Sequence, residues 1–268
     1  MYSFTQENKF GQSGSRFKEI ADNLLQPILT NKGPQETRWA RAELRSIQTF
    51  LRNLPVFYHL QAKAIQECSD NFDATGQKEA TNKLNQLADP SMISFAIGMC
   101  EILEDYSELS LAGQDLLMFP ATVAEKCESF RTRLENLKEN WVWRDKDLKL
   151  AGIGNPKKLI DNLIDGKYKC EVSQNVKIAA ARRLNVSRKE KNRFNAELAL
   201  NTEDLQELQE DILTKADIKE GEFPVVGDSD FLAETEKKLQ DITKAILKNL
   251  QKRVQIDFKS KQDVHRST

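Results

Sequence analysis

The residues best suited to catalysis are few and scattered in this sequence. Histidine occurs only at His59, in a helical pattern beside aromatic residues, and at His265 near the C-terminal end. No Cys-His or Ser-His-acid arrangement is therefore indicated. Cysteine occurs at four widely separated positions: Cys68, Cys100, Cys127 and Cys170. None forms a CxxC pair or has zinc-ligand spacing to a histidine, so we predict free thiols in a reducing compartment.

A group of carboxylates is the other candidate for chemistry. Glu101, Glu104, Asp105 and Glu108 follow one another at helical spacing, and clustered acids can transfer protons or hold a divalent metal. The same i, i+3, i+4 pattern is typical of a solvated helix face, and no Gly-rich or strand-end context accompanies it. We therefore expect an exposed acidic face, with no catalytic residue, no metal, no cofactor and no small-molecule substrate.

Basic side chains offer a stronger indication of a binding surface. Residues 167–193 are rich in Lys and Arg, among them Arg182, Arg183, Arg188 and Lys189. Cations spaced over two turns can neutralise phosphates, although a charge run is more often a solvated face. Residues 197–222 are acidic, and 40 basic against 41 acidic residues give the chain a net charge of −1. Any nucleic-acid surface must therefore be local.

The composition indicates a globular, helix-rich protein. Of 268 residues, 39% are hydrophobic and 30% charged, and only 11 are Gly and 7 are Pro. This is too apolar for a disordered chain. The N-terminal sequence lacks the pattern of a signal peptide, and no run of about 18 apolar residues occurs. We expect an intracellular protein that is neither secreted nor embedded in a membrane.

Apolar periodicity predicts an all-α bundle of several helices. The first long helix has its apolar stripe at Ala40, Leu44, Ile47, Leu51, Leu54 and Tyr58. Further helices are predicted at Gln77–Leu87, Met92–Leu111, Lys157–Ile164 and Phe231–Phe258. Another is opened by Pro120 and has its apolar stripe from Val123 to Trp141. Met92–Leu111 is apolar almost all round, which predicts a central, buried helix. We expect Ser91 to cap it, and we expect the stripes of the three longest early helices to share one core.

Trp39 lies in the first turn of the long helix, about 100° from the centre of the apolar stripe. It shares that flank with Phe50 and Phe57, whereas Arg38, Arg41, Arg45 and Arg52 cluster roughly opposite the stripe. The position permits either burial of the indole against the two phenylalanines or its display to a partner. Periodicity alone leaves both alternatives open.

Four stretches of this sequence are similar to segments of one protein family. TRWARAELRSIQTFLRNL resembles the signature that opens the helical insertion domain of hAT (hobo-Activator type) transposases and of host proteins descended from them. MYSFTQENKFGQSGSRFKEI, KEATNKLNQLADPSMISFAIGMCEILEDYSELSLAGQ and FLAETEKKLQDITKAILKNLQKRVQIDF are similar to family segments in the same order. The sequence departs from the family pattern at Ala112-Gly113, where a leucine is usual, and at Val254, where the family has an aromatic ending.

The resemblance implies an insertion domain without its catalytic core. In the family this domain interrupts a ribonuclease H-like fold whose three acidic residues hold metal, and neither these positions nor the Cys-x-x-His element is found here. The expected protein is a non-catalytic remnant or fragment, nuclear by resemblance, that cuts nothing. Arg38 and Trp39 match the family's Arg-Trp pair, which contacts the transposon end and can stack on an extruded base. Further phosphate contacts are expected from Arg41, Arg45, Arg182, Arg183, Arg188 and Lys189.

The predicted organisation has four parts: a lead-in at 1–36, a main helical bundle at 37–144, an irregular charged connection with short helices at 145–230, and a C-terminal helix at 231–268 that packs back on the bundle. The predicted function is a DNA-contacting or protein-interaction module, with hairpin or transposon-end-like DNA as the expected nucleic acid. The alternative is a helical scaffold that binds partner proteins and has no nucleic-acid role.

Overall fold

The chain folds into helices with short connections and one small sheet. The computed structural model describes residues 12–23, 39–114, 119–148, 153–169, 222–226 and 230–253. In chain order the elements are α1 (Gln12–Asn23), α2 (Trp39–Asp70), α3 (Ala74–Leu87), α4 (Pro90–Gln114), α5 (Pro120–Glu139), α6 (Pro156–Ile164), β1 (Lys167–Lys169), β2 (Glu222–Pro224) and α7 (Phe231–Arg253). The structure is mostly helical, which confirms the predicted class. Within these ranges no helix has the length and apolar character needed to cross a membrane.

The small sheet was not expected from the sequence. β1 and β2 are antiparallel, with Tyr168 opposite Phe223. Both side chains are buried, and their ring centroids lie 5.4 Å apart. Each strand has three residues, too few to show the alternation by which a strand is recognised. The two strands therefore depend on tertiary packing more than on local pattern.

α2 buries a wider face than its predicted stripe. Leu44, Leu51 and Leu54 are fully buried, as expected, and Phe50 and Phe57 are buried as well. Arg52 is only 2% exposed, so its position opposite the apolar stripe does not leave it in solvent. The physical reason is that α1, α3, α4 and β2 all contact α2, which encloses the middle of the helix on several sides.

Pro55 lies inside α2 and changes its hydrogen bonding. Proline has no backbone N–H, so it cannot bond to the carbonyl of Leu51 four residues earlier. That carbonyl instead accepts a hydrogen bond from the Tyr168 hydroxyl at 2.9 Å. Both residues are fully buried, where an unpaired carbonyl is costly. β1 thus supplies the partner that the proline removes.

The turn between α2 and α3 places an aromatic residue where glycine is usual. Asp73 N donates to Cys68 O at 2.8 Å and Phe72 N donates to Ser69 O at 3.1 Å, the two bonds of a Schellman motif. Phe72 holds the left-handed position of the motif, with φ +58, and its side chain is 94% exposed. The Asp73 carboxylate then caps α3 by accepting from Gly76 N at 3.0 Å. The turn therefore displays Phe72 at a conformational cost.

α4 is the central helix, as predicted, since it contacts α2, α3, α5, α6 and α7. Its cap is Asp89, whose carboxylate accepts from Ser91 N at 2.9 Å. The predicted cap by Ser91 is wrong, because the helix already begins at Pro90 and Ser91 lies within its first turn. A Cβ on Gly98 would lie 2.3 Å from Leu239 Cδ1. The absence of a side chain at Gly98 therefore lets α7 approach α4 closely.

Among the residues that the structure describes, the buried apolar side chains form one large cluster and two smaller ones. α2 and α4 share the large cluster, as predicted, together with α6 and both strands. α5 instead contributes to the smaller clusters, where Leu137 packs with Leu239 and Leu134 with Leu247. Met99 and Trp143 border both the large cluster and the Leu137 cluster. α5 is therefore held mainly between α4 and α7.

Candidate functional site

The carboxylates of α4 lie largely inside the protein. Glu101 and Glu104 are 0% and 1% exposed, and the Asp105 side chain is 20% exposed. Glu108 is the exposed member of the series. The prediction of a solvated acidic face is therefore wrong for Glu101 and Glu104. α4 is surrounded by other helices, so even its charged residues are drawn into the interior.

Two arginines from outside α4 pair with these buried acids. Arg133, on α5, binds Asp105 and lies 3.3 Å from Glu101, measured from Nη2 to Oε2. Arg144, in the segment that follows α5, binds Glu104 and lies 2.7 Å from Asp105, measured from Nη2 to Oδ1. The backbone amide of Arg144 also donates to Glu101 Oε1 at 3.1 Å. We call Glu101, Glu104, Asp105, Arg133 and Arg144 the α4 ion-pair cluster.

Burial makes Glu101 a weaker acid than an exposed glutamate. Removal from water raises its pKa to about 7, and Asp105 and Glu104 add to the increase. The Arg144 amide and guanidinium oppose this increase by stabilising the carboxylate. Burial next to Glu104 and Glu101 likewise raises the pKa of Cys100 well above its usual range. Cys100 therefore stays a neutral thiol and is a poor nucleophile.

The ion-pair cluster is built for packing rather than for metal binding. Each carboxylate in it already faces a guanidinium or an amide, and arginine cannot give up its charge to make room for a cation. In the described ranges no group of His, Cys, Asp and Glu side chains could hold a metal ion. Removal of Arg133 or Arg144 would leave a buried carboxylate without its counter-charge, which is strongly destabilising. The arrangement ties α4, α5 and the segment after α5 together.

An open groove of about 750 Å³ lies against the cluster. We call it the α5 groove. It is lined by Leu137 on α5 and by Val142, Trp143, Asp145, Lys146 and Asp147 in the segment after α5. Val142 is 62% exposed. The groove is within the size range of ligand-binding sites in proteins.

Trp143 forms a fixed wall of this groove. Its Nε1 donates to Glu236 Oε1 on α7 at 2.8 Å. The Trp143 ring meets Trp141 edge-on, with centroids 5.5 Å apart, and Trp141 is buried. This hydrogen bond and this ring contact hold the indole in place without any ligand.

The structure places only part of the predicted DNA-contacting set. Arg41 is partly exposed and Arg45 is exposed, and both lie in the first two turns of α2. α2 begins at Trp39, but the Trp39 side chain lies outside the described residues. The other predicted contacts also lie outside them: Arg38, Arg182, Arg183, Arg188 and Lys189. Burial or display of Trp39 therefore stays a prediction.

Relatives could supply further evidence on these residues. No protein-family model, curated protein or solved structure matches this chain. The resemblance to hAT insertion domains therefore continues to depend on its short sequence motifs.

One sequence signal could have revealed the ion-pair cluster. A helix that is apolar on all sides is usually enclosed, and acids within such a helix must be paired. Met92–Leu111 has this character, so Glu101 and Glu104 could have been expected to be buried. Their partners could not be identified, because Arg133 and Arg144 lie 32 and 43 residues from Glu101 along the chain.

Proposed function

We propose that this chain is a non-catalytic helical module related to the insertion domain of hAT transposases, and that it contacts DNA at the N-terminal end of α2. Two features support the proposal: the pairing of the buried acids and the position of the accessible arginines on α2.

The pairing of the acids supports a non-catalytic role. Glu101, Glu104 and Asp105 form the densest acidic group on α4, and all three are engaged by Arg133 or Arg144. A metal nuclease needs carboxylates that can face a metal and a phosphate together. We therefore expect no cleavage of hairpin DNA with magnesium or manganese. Cleavage of hairpin DNA that persists after contaminating nucleases are removed, and that a chelator abolishes, would contradict the non-catalytic role.

The single observation that carries the DNA-binding half is the placement of Arg41 and Arg45. Residues four apart on a helix lie on the same face, with Cβ atoms about 5–6 Å apart. Arg45 is exposed and Arg41 partly so, and no acidic residue lies in the first turn of α2. Such a pair can contact neighbouring phosphates, which position a protein on DNA without reading its sequence. Arg38 and Trp39 precede Arg41 in the sequence, with Ala40 between Trp39 and Arg41.

Fluorescence anisotropy with labelled hairpin DNA tests this proposal. We expect binding at low salt that weakens steeply as salt rises, because phosphate contacts release counterions. Arg45→Gln should weaken binding and lower the salt slope by about 0.9, the value for one lost phosphate contact. Lys126→Gln is the matched control, because Lys126 is an exposed cation on α5. Absence of binding to hairpin DNA at low salt would contradict the proposal that α2 contacts DNA.

Replacement of Trp39 by alanine distinguishes an indole that stacks on a DNA base from one that packs in the protein core. A displayed indole that stacks on a base contributes about 1–3 kcal/mol to binding, whereas its removal should alter stability by less than about 1 kcal/mol. A packed indole should instead lower stability by about 3–5 kcal/mol when Trp39 is replaced by alanine. Iodide quenching in a Trp141→Phe, Trp143→Phe background reports directly on Trp39. Complete resistance to quenching would refute the display of Trp39.

A helical scaffold for protein partners is the second candidate, and Phe72 favours it. Its side chain is 94% exposed at a backbone position that disfavours a bulky residue. Strained positions of this kind cluster at functional sites. Exposed aromatic residues are frequent anchors in protein interfaces. If hairpin DNA fails to bind at low salt, the scaffold becomes the preferred function.

A further inference from the structure

A pocket of about 220 Å³ lies where α1, α2 and α3 meet, and neither Arg41 nor Arg45 lines it. We call it the α2–α3 pocket. Its walls are formed by residues spaced so that they share one face of α2 and one face of α3: Gln61, Ala64, Cys68, Gly76, Ala80 and Lys83. Alanine or glycine at three of these positions leaves the space between the two helices open.

Cys68 places a thiol at one end of the pocket. Its side chain is partly exposed, whereas Cys100 is fully buried. A Cβ on Gly76 would lie 2.9 Å from Cys68 Sγ, so the absence of a side chain at Gly76 leaves the thiol uncovered on that side. An accessible thiol can exchange with a disulfide through its thiolate. Cys68 is therefore suited to form a mixed disulfide with a thiol that enters the pocket.

Gln61 independently indicates a ligand. Its side chain is only 5% exposed, yet its amide has no hydrogen-bond partner among the residues that the structure describes. A buried amide without a partner is costly. Because Gln61 lines the pocket, a ligand in the pocket can supply the missing hydrogen bonds. Gln61 lies about 10 Å from Cys68 along the helix axis, so a group attached to Cys68 must have about that length to reach the amide.

The charged residues of the pocket indicate which groups the ligand carries. Arg16, Glu79 and Lys83 line it. Arg16 is already paired with Glu67 at 2.7 Å, measured from Nη1 to Oε2. Glu79 and Lys83 are exposed and form no ion pair within the described ranges. They lie one turn apart on the same face of α3, so a ligand with an ammonium group and a carboxylate at one end can pair with both.

We propose that Cys68 forms a mixed disulfide with a small peptide thiol of the glutathione type, whose peptide part occupies the α2–α3 pocket. An extended tripeptide spans about 10 Å. Its γ-glutamyl end carries an ammonium group and a carboxylate, next to amides that can bond to Gln61.

The reaction is an exchange with glutathione disulfide. The Cys68 thiolate attacks one sulfur of the disulfide, and a new S–S bond forms as the old one breaks. Cys68 is thereby oxidised and one glutathione is reduced. That glutathione leaves as a thiolate and takes up the proton that Cys68 has lost.

Peptide mass spectrometry after equilibration in thiol–disulfide buffers tests this proposal. The full chain is equilibrated with glutathione, cysteine or 2-mercaptoethanol, each together with its disulfide. The exchange constant at Cys68 is divided by that at Cys127, a partly exposed thiol on α5, so that the intrinsic reactivity of each reagent cancels. We expect a ratio at least about tenfold higher for glutathione than for 2-mercaptoethanol, because two exposed ion pairs and a hydrogen bond each contribute about two- to fivefold. Cysteine is too short to reach Gln61 and should give a lower ratio than glutathione.

Variants distinguish recognition in the pocket from simple exposure of the thiol. Lys83→Gln and Gln61→Leu should each lower the glutathione ratio about two- to fivefold and leave the 2-mercaptoethanol ratio unchanged. Lys78→Gln is the matched control, because Lys78 is an exposed cation of α3 that does not line the pocket. The proposal is overturned if Cys68 forms no mixed disulfide with glutathione, or if cysteine or 2-mercaptoethanol gives the same ratio as glutathione. An unchanged glutathione ratio in Lys83→Gln and Gln61→Leu would also overturn it.

Discussion

Replacement of Glu101 by glutamine should make the stability of the protein less sensitive to pH. Glu101 is buried in the α4 ion-pair cluster, and its pKa in the folded chain is about 7, against about 4.3 in an unfolded chain. At pH values between these two pKa values, Glu101 holds its proton more tightly in the folded chain than in the unfolded chain. The protonated Glu101 carboxyl therefore adds to the free energy of unfolding. This contribution is fully present below about pH 4.3 and is lost as the pH rises through 7.

The magnitude follows from the difference between the two pKa values. One pKa unit corresponds to about 1.4 kcal/mol, so the full effect is about 4 kcal/mol, of which about 2 kcal/mol falls between pH 5 and pH 7. Glutamine keeps an oxygen for the Arg144 amide and has no proton to lose. Glu101→Gln should therefore match the wild type near pH 5 and exceed its stability by about 2–3 kcal/mol at pH 8.

Urea denaturation followed by circular dichroism at several pH values between 5 and 8 measures this directly. Glu104, Asp105, Arg133, Arg144 and Cys100 all face Glu101 and are the same in both proteins, so the two proteins differ only in the Glu101 carboxyl. Glu125→Gln is the control, because Glu125 is an exposed acid on α5 and should not alter the pH dependence. A stability difference between Glu101→Gln and wild type that stays constant from pH 5 to pH 8 would refute the reasoning.

Further substitutions test the packing. Leu51→Ala and Leu103→Ala, at residues 0% and 7% exposed, should each cost about 2–5 kcal/mol in urea denaturation; a loss below about 0.5 kcal/mol at both would contradict the core assignment. Gly98→Ala should cost about 1–3 kcal/mol, because its Cβ would meet Leu239 in a packed interior; unchanged stability would contradict the close approach of α4 and α7. Phe72→Gly should raise stability by about 1 kcal/mol through relief of the left-handed backbone, whereas Phe72→Ala, which keeps a Cβ, should not. Tyr168→Phe should cost about 1–3 kcal/mol, and the cost should shrink in a Pro55→Ala background, where an N–H for Leu51 is restored; equal costs in both backgrounds would argue against this hydrogen bond.

The apolar pattern predicted the helices well, because each depends on residues close together in sequence. The stripe from Ala40 to Leu54 is buried, and α6 at Pro156–Ile164 matches its prediction almost residue for residue. Apolar periodicity also identified α4 as the central helix. In each case the spacing of side chains along one helix carried the necessary information.

Charged residues were harder to place, because their environment is set by distant elements. Glu101 and Arg52 both fit the pattern of a solvated face, yet both are buried. The partners of Glu101 come from another helix and from a loop. The strands β1 and β2 lie more than fifty residues apart, and neither is long enough to be recognised alone. The burial of these charged residues and the pairing of the two strands depend on contacts that form only when the helices pack together.

The hydrogen bond between Tyr168 and Leu51 also has a consequence for how the chain is completed during synthesis. The two residues are 117 positions apart, so α2 emerges long before the group that satisfies its interior carbonyl. Until Tyr168 is synthesised, the Leu51 carbonyl lacks this donor and we expect it to be hydrated. Closing a loop of this length costs conformational entropy, and contacts between residues so far apart in sequence form slowly. We therefore expect a nascent chain that ends before Tyr168 to retain water at the Leu51 carbonyl, beside Pro55.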